Sequence, residues 1–421
     1  MPPLDSGDTA WVLVCTALVL LMTPGLAFFY GGMVRAKSVL SMLMQNYVCI
    51  AVVTVVWVVL GYTIAFGSDA GGGLLGGLRF TGLAHTAEPV PGLTLHIPPL
   101  LFMAFQLMFA VITAALISGA IADRVRFGGF VVFAALWSLL VYSPLAHWVF
   151  SPQGWLAKLG LLDFAGGTVV EINCGAAALA LAIVVGRRHG WPREAMPPHS
   201  LPLTLLGAGL LWFGWFGFNA GSSLRADGLA VHALVNTHLA GVGGLLAWIA
   251  MERFKTGVAT TLGAASGAVA GLVAITPACG YLDPMPSLLL GLLAGAGCEQ
   301  AVQLKYRLGY DDSLDVVGVH FVGGVIGTLF LGLFATSAFN PAVLHEGLLY
   351  GGGFGQLGRQ AVGVLAATAW SFGATYLLAV AVNRVIPLRV SQEEEATGLD
   401  QALHSESAYD FGSVRSMGRI G

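Results

Sequence analysis

Glu171 and His320 are two polar residues whose types and positions could do chemistry in an apolar environment. Glu171 lies in a long apolar run, eight residues after Asp163, and His320 lies in another, five residues after Asp315. Eight residues of helix rise about 12 Å and return nearly to the same face, so Glu171 would lie close to the middle of a hydrocarbon core about 30 Å thick. A carboxyl group there costs about 2.5 to 3.5 kcal/mol even on the lenient insertion scale. Because such a cost is rarely retained without a use, Glu171 is a candidate functional residue.

A buried acid and a buried imidazole that reach the membrane centre from opposite sides suggest a path for a proton or a cation. Two such groups share their protons, so we expect Glu171 and His320 to titrate as one coupled pair. The alternative is a protonated Glu171 that forms a hydrogen bond between helices and serves packing alone.

The composition is typical of a polytopic α-helical membrane protein. Of 421 residues, 56% are hydrophobic and 10% are charged, and the mean hydropathy is +0.80, whereas soluble domains are about 25% charged. A membrane β-barrel would need alternating strands of about ten residues, which the long apolar runs exclude. The five cysteines show no CxxC spacing, so neither a disulfide framework nor a metal site is indicated.

Eleven apolar blocks are each long enough to span a bilayer. Their approximate bounds are 10–34, 40–66, 97–122, 127–150, 167–187, 200–222, 229–253, 258–276, 285–303, 316–337 and 358–386. The first block has no basic segment before it, so we interpret it as a retained helix and not as a signal peptide. We predict an all-α fold with a transmembrane domain over residues 1–387. The polar tail over residues 388–421 is too short for a separate domain, and a solvated, partly disordered segment is one of the interpretations that its sequence leaves open.

The blocks predict an inverted repeat of helices 1–5 and 6–10, followed by a final helix. Residues 28–32 of the first block are similar to residues 216–221 of the sixth, and Leu162-Asp163 and Leu314-Asp315 open the fifth and tenth blocks. Because five is an odd number, the two halves cross the membrane in opposite directions, as in many transporters.

The basic residues predict the orientation in the membrane. With the N-terminus outside, 15 of the 19 Lys and Arg residues fall inside, and the other four are Arg79, Lys158, Arg225 and Arg359. By the positive-inside rule, the N-terminus lies outside a cell membrane and the C-terminus lies in the cytoplasm.

Three long strings lie in order on the expected helices. They are DFAGGTVV from Asp163 to Val170, GWFGFNAGS through Phe218 and Ser222, and DDSLDVVGVH from Asp311 to His320. These strings resemble signatures of the ammonium transporter (Amt/Mep/Rh) family, in its Amt branch, and the resemblance extends over nearly the whole chain. It implies eleven helices per protomer, a homotrimer with one pore in each protomer, no cofactor or metal, and no enzymatic activity.

By that resemblance, Phe109, Phe150 and Ser222 form an outer site that recruits ammonium, and Asp163 shapes its floor. An aromatic face attracts a small cation by about 0.5 to 2 kcal/mol. The serine hydroxyl adds a hydrogen-bond acceptor, which helps to distinguish ammonium, a hydrogen-bond donor, from K⁺, which has no proton to donate. The family usually has Trp where this chain has Phe150. Chance packing among the 23 Phe residues is the alternative. Because Asp163 precedes two glycines at a helix start, we favour capping of backbone N–H groups over direct contact with substrate.

The resemblance also implies a closed pore below that site. Phe109 and Phe218 are similar to a stacked aromatic pair, and a hydrophobic constriction of this kind excludes hydrated ions by dewetting. Trp215 and Phe105 resemble residues that line the pore.

Glu171 and His320 match the family's central pair of histidines, with Glu171 in place of the first. A subset of the family, including some fungal members, resembles this chain in having Glu there. With Glu171 in this position, the usual mechanism with two imidazoles does not apply unchanged. A polar path through the pair is still expected. His232 and His238 match no pore position and are predicted to be packing residues. Glu299 is predicted to be paired or to snorkel near Lys305 and Arg307.

The leading hypothesis is a transporter that moves NH₄⁺, as NH₃ plus a relayed proton, across the cell membrane. The alternative is an ammonium sensor that signals through its tail, which fused kinase or cyclase domains would favour. An Rh-like gas channel fits the strings less well, and an enzyme is disfavoured because GxSxG, HExxH and P-loop motifs are lacking. Beyond substrate and lipid bilayer, the resemblance implies a PII-type signal protein as a cytoplasmic partner, and no nucleic acid. The tail strings GLD and HSESAY resemble an Amt tail that cooperates across the trimer.

Overall fold

The computed structural model describes residues 3–409, and these form a bundle of long helices. We number the long helices in chain order, one for each predicted apolar block. They are α1 Ser6–Met33, α2 Ala36–Phe66, α3 Pro99–Ile121, α4 Phe127–Leu159 (interrupted after Phe150), α5 Gly167–Val185, α6 Leu201–Gly221, α7 Gly228–Thr256, α8 Thr261–Ile275, α9 Pro284–Leu308, α10 Val317–Phe334 and α11 Gly355–Val385. Apart from two isolated bridge pairs, the regular elements of the described residues are helical, which confirms the all-α prediction.

Ten of these helices are long and apolar enough to cross a membrane, and α8 is shorter. With 15 residues, α8 is about 22 Å long, which is less than a hydrocarbon core of about 30 Å. The block predicted at 258–276 therefore forms a helix that does not by itself span. A turn over residues 276–281 extends the chain beyond it.

The loops lie at two opposite ends of the bundle, which we call the N-terminal face and the C-terminal face. At the N-terminal face, the Asp5 amide donates to the His96 carbonyl oxygen at 2.8 Å, and Asp8 accepts from the Ala226 amide at 2.8 Å. At the C-terminal face, Arg35 donates to Asp123 at 3.1 Å. These contacts bring the loops before α3 and after α6 to one end, and the loops after α1 and α3 to the other.

Glycines let neighbouring helices approach closely. A Cβ atom added to Gly295 of α9 would lie 2.2 Å from the Gly244 carbonyl oxygen of α7, and one added to Gly207 of α6 would lie 2.2 Å from the Phe29 nitrogen of α1. Real atoms cannot come that near, so these positions exclude a side chain. This close approach accounts for glycines inside the helices, such as Gly207 and Gly295.

A buried ion cluster joins three loops of the C-terminal face. Asp311 accepts from Arg188 at 2.8 and 2.9 Å, and Arg124 donates to the Asp311 carbonyl oxygen at 2.5 Å. Burial alone would raise the pKa of Asp311, but the Arg188 hydrogen bond and the charges of both arginines outweigh it, so the pKa lies below its usual range. Burial lowers the pKa of Arg124 to about 10, and the guanidinium remains charged at neutral pH.

The tail folds against the C-terminal face as two short helices, α12 Gln392–Thr397 and α13 Leu399–His404. Asp400 accepts from two backbone amides of α2, and the buried Glu395 accepts from the His189 amide at 2.7 Å. The interpretation of the tail as solvated and partly disordered is therefore wrong for residues 388–409, because its carboxylates bind backbone donors of the bundle. Residues 410–421, which hold the two last predicted inner arginines, lie outside the described residues.

Candidate functional site

The helix α5 opens with a π-helical segment, Gly167–Ile172, that carries Glu171. Asp163 holds the start of this segment. Its Oδ1 accepts from the amides of Gly166 and Gly167 at 2.8 and 2.7 Å, and its Oδ2 accepts from the Thr168 amide at 2.8 Å and from the Thr168 hydroxyl. These four bonds occupy the carboxylate, so Asp163 is a cap, as expected, and acts on the site through the backbone.

The helix α10 opens in the same way, with a π-helical segment, Val317–Phe321, that carries His320. Its cap is Asp312, which accepts from the amides of Val316 and Val317 at 3.1 and 2.7 Å. Asp312 precedes His320 by eight residues, as Asp163 precedes Glu171. The counterpart of Asp163 is therefore Asp312.

Asp315, which the sequence comparison of the two halves selected, does not cap α10. It has a positive φ of 64° and pairs with Lys305 at 2.5 Å. Burial raises the pKa of Asp312 to about 6, and the nearby Lys305 ammonium counteracts that rise. The repeated Leu-Asp sequence pointed to Asp315, but the residue that caps α10 is Asp312. Capping depends on the path of the backbone and not on which residue types are repeated.

The two capped segments bring Glu171 and His320 into direct contact. The Glu171 Oε2 lies 2.7 Å from the His320 Nδ1, and the residues are only 1% and 4% exposed. One proton between these atoms satisfies both groups, and a buried polar pair of this kind is stable only when its bonds are made. Since Glu171 engages Nδ1, the ring nitrogen Nε2 remains to exchange a proton with other groups. The pair can thus accept a proton on one side and release one on the other.

A narrow cavity lies beside this pair. Its free volume is about 10 Å³, close to the least room that one water-sized molecule needs. The lining side chains are Met22, Leu26, Phe29, Ile112, Leu116, Val170, Glu171, Leu211, Trp215, Phe218, Val269 and His320. Apart from the pair and the Trp215 indole, these groups are apolar. The cavity suits a small neutral molecule and disfavours a bare ion.

Two stacked phenylalanines lie at the cavity, and one of them, Phe218, lines it. The rings of Phe109 and Phe218 have centroids 4.2 Å apart and planes 27° apart, and both residues are 1% exposed. Phe105 packs edge-on against Phe109 at 4.9 Å and is not among the residues that line the cavity. Trp215 does line it, and its indole donates to the Thr276 hydroxyl at 2.9 Å. We call the stacked rings of Phe109 and Phe218 the plug, after the gate that the sequence predicts at these residues.

Phe150 and Ser222 lie beyond this plug, toward the N-terminal face. The Phe150 ring stands perpendicular to Phe109 with centroids 6.5 Å apart, and Ser222 donates its hydroxyl proton to the Phe218 carbonyl oxygen at 2.8 Å. Both residues are half-buried. Because the hydroxyl proton is engaged, the serine oxygen is left as an acceptor, which suits a donor cation against an aromatic wall.

The cavity residues from α1, α3 and α8 were missed by sequence reasoning. Leu26, Phe29, Ile112 and Val269 are apolar residues in apolar helices, and nothing in their type or spacing separates a lumen residue from a packing residue. Their role follows only from the way in which the helices meet.

Three residues that the sequence set apart lie outside this cavity. The His232 Nε2 donates to the Leu282 carbonyl oxygen at 2.6 Å, and the His238 ring lies 5.6 Å from that of Trp212, in keeping with packing roles. Glu299 pairs with Lys255 of α7 at 2.6 Å, so its expected neighbours Lys305 and Arg307 are not its partner. The partner lies on another helix, which a reading along α9 could not find.

Comparisons with known proteins agree with this geometry. The sequence model of the Ammonium Transporter Family matches residues 10–409. An ammonium transporter of Mycobacterium tuberculosis is 52% identical, over 97% of this chain and 91% of the relative. The crystal structure of Saccharomyces cerevisiae Mep2 superimposes with a TM-score of 0.86 at 36% identity, covering 93% of this chain and 89% of that one. A solved structure described as a sensor Amt protein gives a TM-score of 0.87 at 32% identity, covering 94% and 98%.

Proposed function

This chain belongs to the Ammonium Transporter Family, and on that premise we propose that it carries ammonium across a membrane as ammonia and a separately relayed proton. It is an ammonium transporter in fold and in family. The proposal concerns the species that crosses and the residues that carry it.

One observation carries the proposal: a small apolar cavity is lined both by Phe218 of the stacked aromatic pair and by the hydrogen-bonded Glu171 and His320. A bare ammonium ion in such a cavity would lose its hydration without gaining fixed charges in return. Ammonia is neutral, and the free volume of about 10 Å³ allows one molecule of that size.

The outer residues then act first. Ammonium binds against the Phe150 face and gives a hydrogen bond to the Ser222 oxygen. It leaves its proton before the plug of Phe109 and Phe218, because dewetting excludes the ion there and admits the neutral molecule. Asp163 takes part only through the backbone that it caps.

The proton takes the polar route through Glu171 and His320. In one state the carboxyl and the imidazole share a proton at the 2.7 Å contact, and in the next the pair has passed a proton to the opposite side. Ammonia crosses the cavity and recombines with that proton, so NH₄⁺ → NH₃ + H⁺ → NH₄⁺ is balanced and one positive charge moves per cycle.

We further propose that the C-terminal face is cytoplasmic. Thirteen of the fifteen basic residues that the sequence assigns to one side lie at or next to this face, and Arg415 and Arg419 lie outside the described residues. A homotrimer in the cell membrane and a PII-type protein at the cytoplasmic face remain expectations from the family.

The second candidate, an ammonium sensor, is favoured by one observation, the likeness to the sensor Amt structure at 32% identity. The docked helices α12 and α13 would supply the route from the bundle to a partner. The higher identity of 52% to a protein named as a transporter favours transport.

The test is the current that ammonium evokes in liposomes holding the purified protein. Glu171→Gln keeps the size and the hydrogen bond but cannot ionise, so the current should fall about tenfold or more, equivalent to at least about 1.4 kcal/mol in the barrier. Glu171→His restores a pair of imidazoles and should retain substantial current with a shifted pH profile. Glu299→Gln, at a buried carboxylate outside the cavity, is the matched control and should keep the wild-type current.

A Glu171→Gln current equal to wild type from about pH 5 to 8, the range in which a histidine titrates, would refute the relay. It would leave a packing role for Glu171. A loss of current in Glu299→Gln would show that neutralising a buried carboxylate outside the cavity is enough to impair the protein. The relay would then be tested by comparing Glu171→His with Glu171→Gln.

A further inference from the structure

Cys174 lies one helical turn beyond Glu171 in α5 and is fully buried. A carboxylate oxygen of Glu171, the Sγ of Cys174 and a ring nitrogen of His320 all lie within 4.8 Å of one another. We propose that these three side chains form a site for Zn²⁺, and that zinc bound there blocks the transport path.

The donor set fits zinc. Zinc in proteins is bound by thiolate sulfur, imidazole nitrogen and carboxylate oxygen, and three such ligands leave a fourth position for water. The cavity beside the pair, with room for about one water-sized molecule, can hold that fourth ligand.

The distances require only a small closure. With bonds of about 2.0 to 2.3 Å, the ligand atoms of a tetrahedral site lie roughly 3.3 to 3.8 Å apart. The three atoms are at most 4.8 Å apart, so the most distant of them must approach by up to about 1 to 1.5 Å. The Glu171 Oε2 and the His320 Nδ1, now 2.7 Å apart, would separate by about 0.6 Å to bind the same ion. The Cys174 thiol donates to the Glu171 carbonyl oxygen at 3.4 Å, and because a thiol is a weak donor, its rotation toward the pair loses little.

The charges select a divalent ion over a monovalent one. A Cys174 thiolate and a Glu171 carboxylate carry two negative charges, and with a neutral His320 they balance Zn²⁺ in a region where unbalanced charge is costly. The thiol proton and the proton shared by Glu171 and His320 leave to water as the metal binds. Zinc therefore takes the atoms that the relay needs, which is why it should block.

The sequence concealed this site. Zinc sites are recognised from short spacings such as CxxC, whereas here two ligands are three residues apart and the third is 149 residues from Glu171. Among the described residues, the other four cysteines belong to no comparable group. The inference therefore contradicts the absence of a metal site that composition indicated.

The first measurement is zinc content, which does not depend on transport. Full-length purified protein is equilibrated with ZnCl₂, passed through a desalting column and analysed by mass spectrometry for metal per chain. We expect about one zinc per chain in wild type and in Cys49→Ala, which removes another fully buried cysteine. Cys174→Ser and Cys174→Ala should retain none.

The second measurement is inhibition by zinc, normalised to each variant's own current. Wild type and Cys49→Ala should be inhibited, and Cys174→Ser should require about tenfold more zinc or higher, as expected for a lost ligand worth at least about 1.4 kcal/mol. X-ray absorption of zinc-loaded wild type should show one sulfur at about 2.3 Å.

Stoichiometric zinc in the Cys174 variants, no retained zinc in wild type, or a zinc shell without sulfur would each overturn the proposal. If both Cys174 variants fail to fold, the X-ray absorption spectrum of zinc-loaded wild type still decides the question, because it shows whether a sulfur atom binds the zinc. Failure of the relay with zinc still bound would affect only the proposed function, and loss of zinc with the relay intact would affect only this site.

Discussion

Replacing Asp400 with alanine should release α13 from the bundle while the bundle itself stays folded. Asp400 is 2% exposed, and its carboxylate accepts from the amides of Leu40 and Ser41 at 3.0 and 2.8 Å. Helix caps contribute about 0.5 to 2 kcal/mol, and hydrogen bonds to a charged group about 1.5 to 3 kcal/mol each. The first measure gives about 0.5 to 2 kcal/mol for the contact, and the second gives about 3 to 6 kcal/mol for its two bonds. An intermediate loss of about 1 to 4 kcal/mol corresponds to a shift in the docking equilibrium of about 5- to 1,000-fold.

The effect should be local, because α12 is held by a different residue. Glu395 is 2% exposed, accepts from the His189 amide at 2.7 Å and pairs with Arg389 at 2.9 Å. Hydrogen exchange with mass spectrometry resolves the two helices. In Asp400→Ala, amide protection should fall by about 5- to 1,000-fold over Leu399–His404 and much less over Gln392–Thr397.

Glu393→Ala is the matched control, since Glu393 is an exposed acidic residue of the same tail. It should leave protection unchanged in both helices. Unchanged protection over Leu399–His404 in Asp400→Ala would refute the reasoning, because the cap would then contribute nothing to docking. Equal loss over both helices would refute its local part.

Three further predictions concern the plug, the tail and the ion cluster. Phe109→Ala combined with Phe218→Ala should alter selectivity or abolish transport, and unchanged ammonium flux with unchanged K⁺ exclusion in liposomes would contradict the plug. Truncation after Pro387 should lower the ammonium current without unfolding the membrane part, and full current in a truncated, still assembled protein would contradict a regulatory tail. Asp311→Asn should destabilise by up to about 3 to 5 kcal/mol because it removes the hydrogen-bonded charge partner of Arg188 and leaves only Asp123, 3.6 Å away. The pKa of Asp311 is lowered on folding, so its stabilisation is present above about pH 4 and is lost as the pH falls through the lowered value; thermal unfolding should show this loss in wild type and not in Asp311→Asn.

The amino-acid sequence determined the membrane helices and the pairing of two buried polar residues, Glu171 and His320. A segment of about twenty apolar residues has few alternatives to a spanning helix, so ten of the eleven predicted blocks became helices long enough to cross. Glu171 and His320 could be paired because polar groups at membrane depth need a partner, and few residues in the apolar runs offer one. Asp163 could be interpreted as a cap because its glycines follow directly in the chain.

Other features depended on contacts between residues far apart in sequence. The string LD suggested Asp315 as the partner of Asp163, but the backbone path made Asp312 the cap of α10. The length of α8 was overestimated because an apolar run continues past the end of a helix without a change in composition.

Only the tertiary structure decided which apolar residues face the cavity, where the tail docks and which groups surround Glu171. Leu26 and Val269 line the cavity because α1 and α8 meet there, and Cys174 joins the pair because α5 and α10 cross at that depth. Asp400 reaches the amides of α2 across 359 and 360 residues of chain. Hydropathy depends on residue type alone, whereas these contacts depend on helix approach and side-chain direction, which local sequence does not specify.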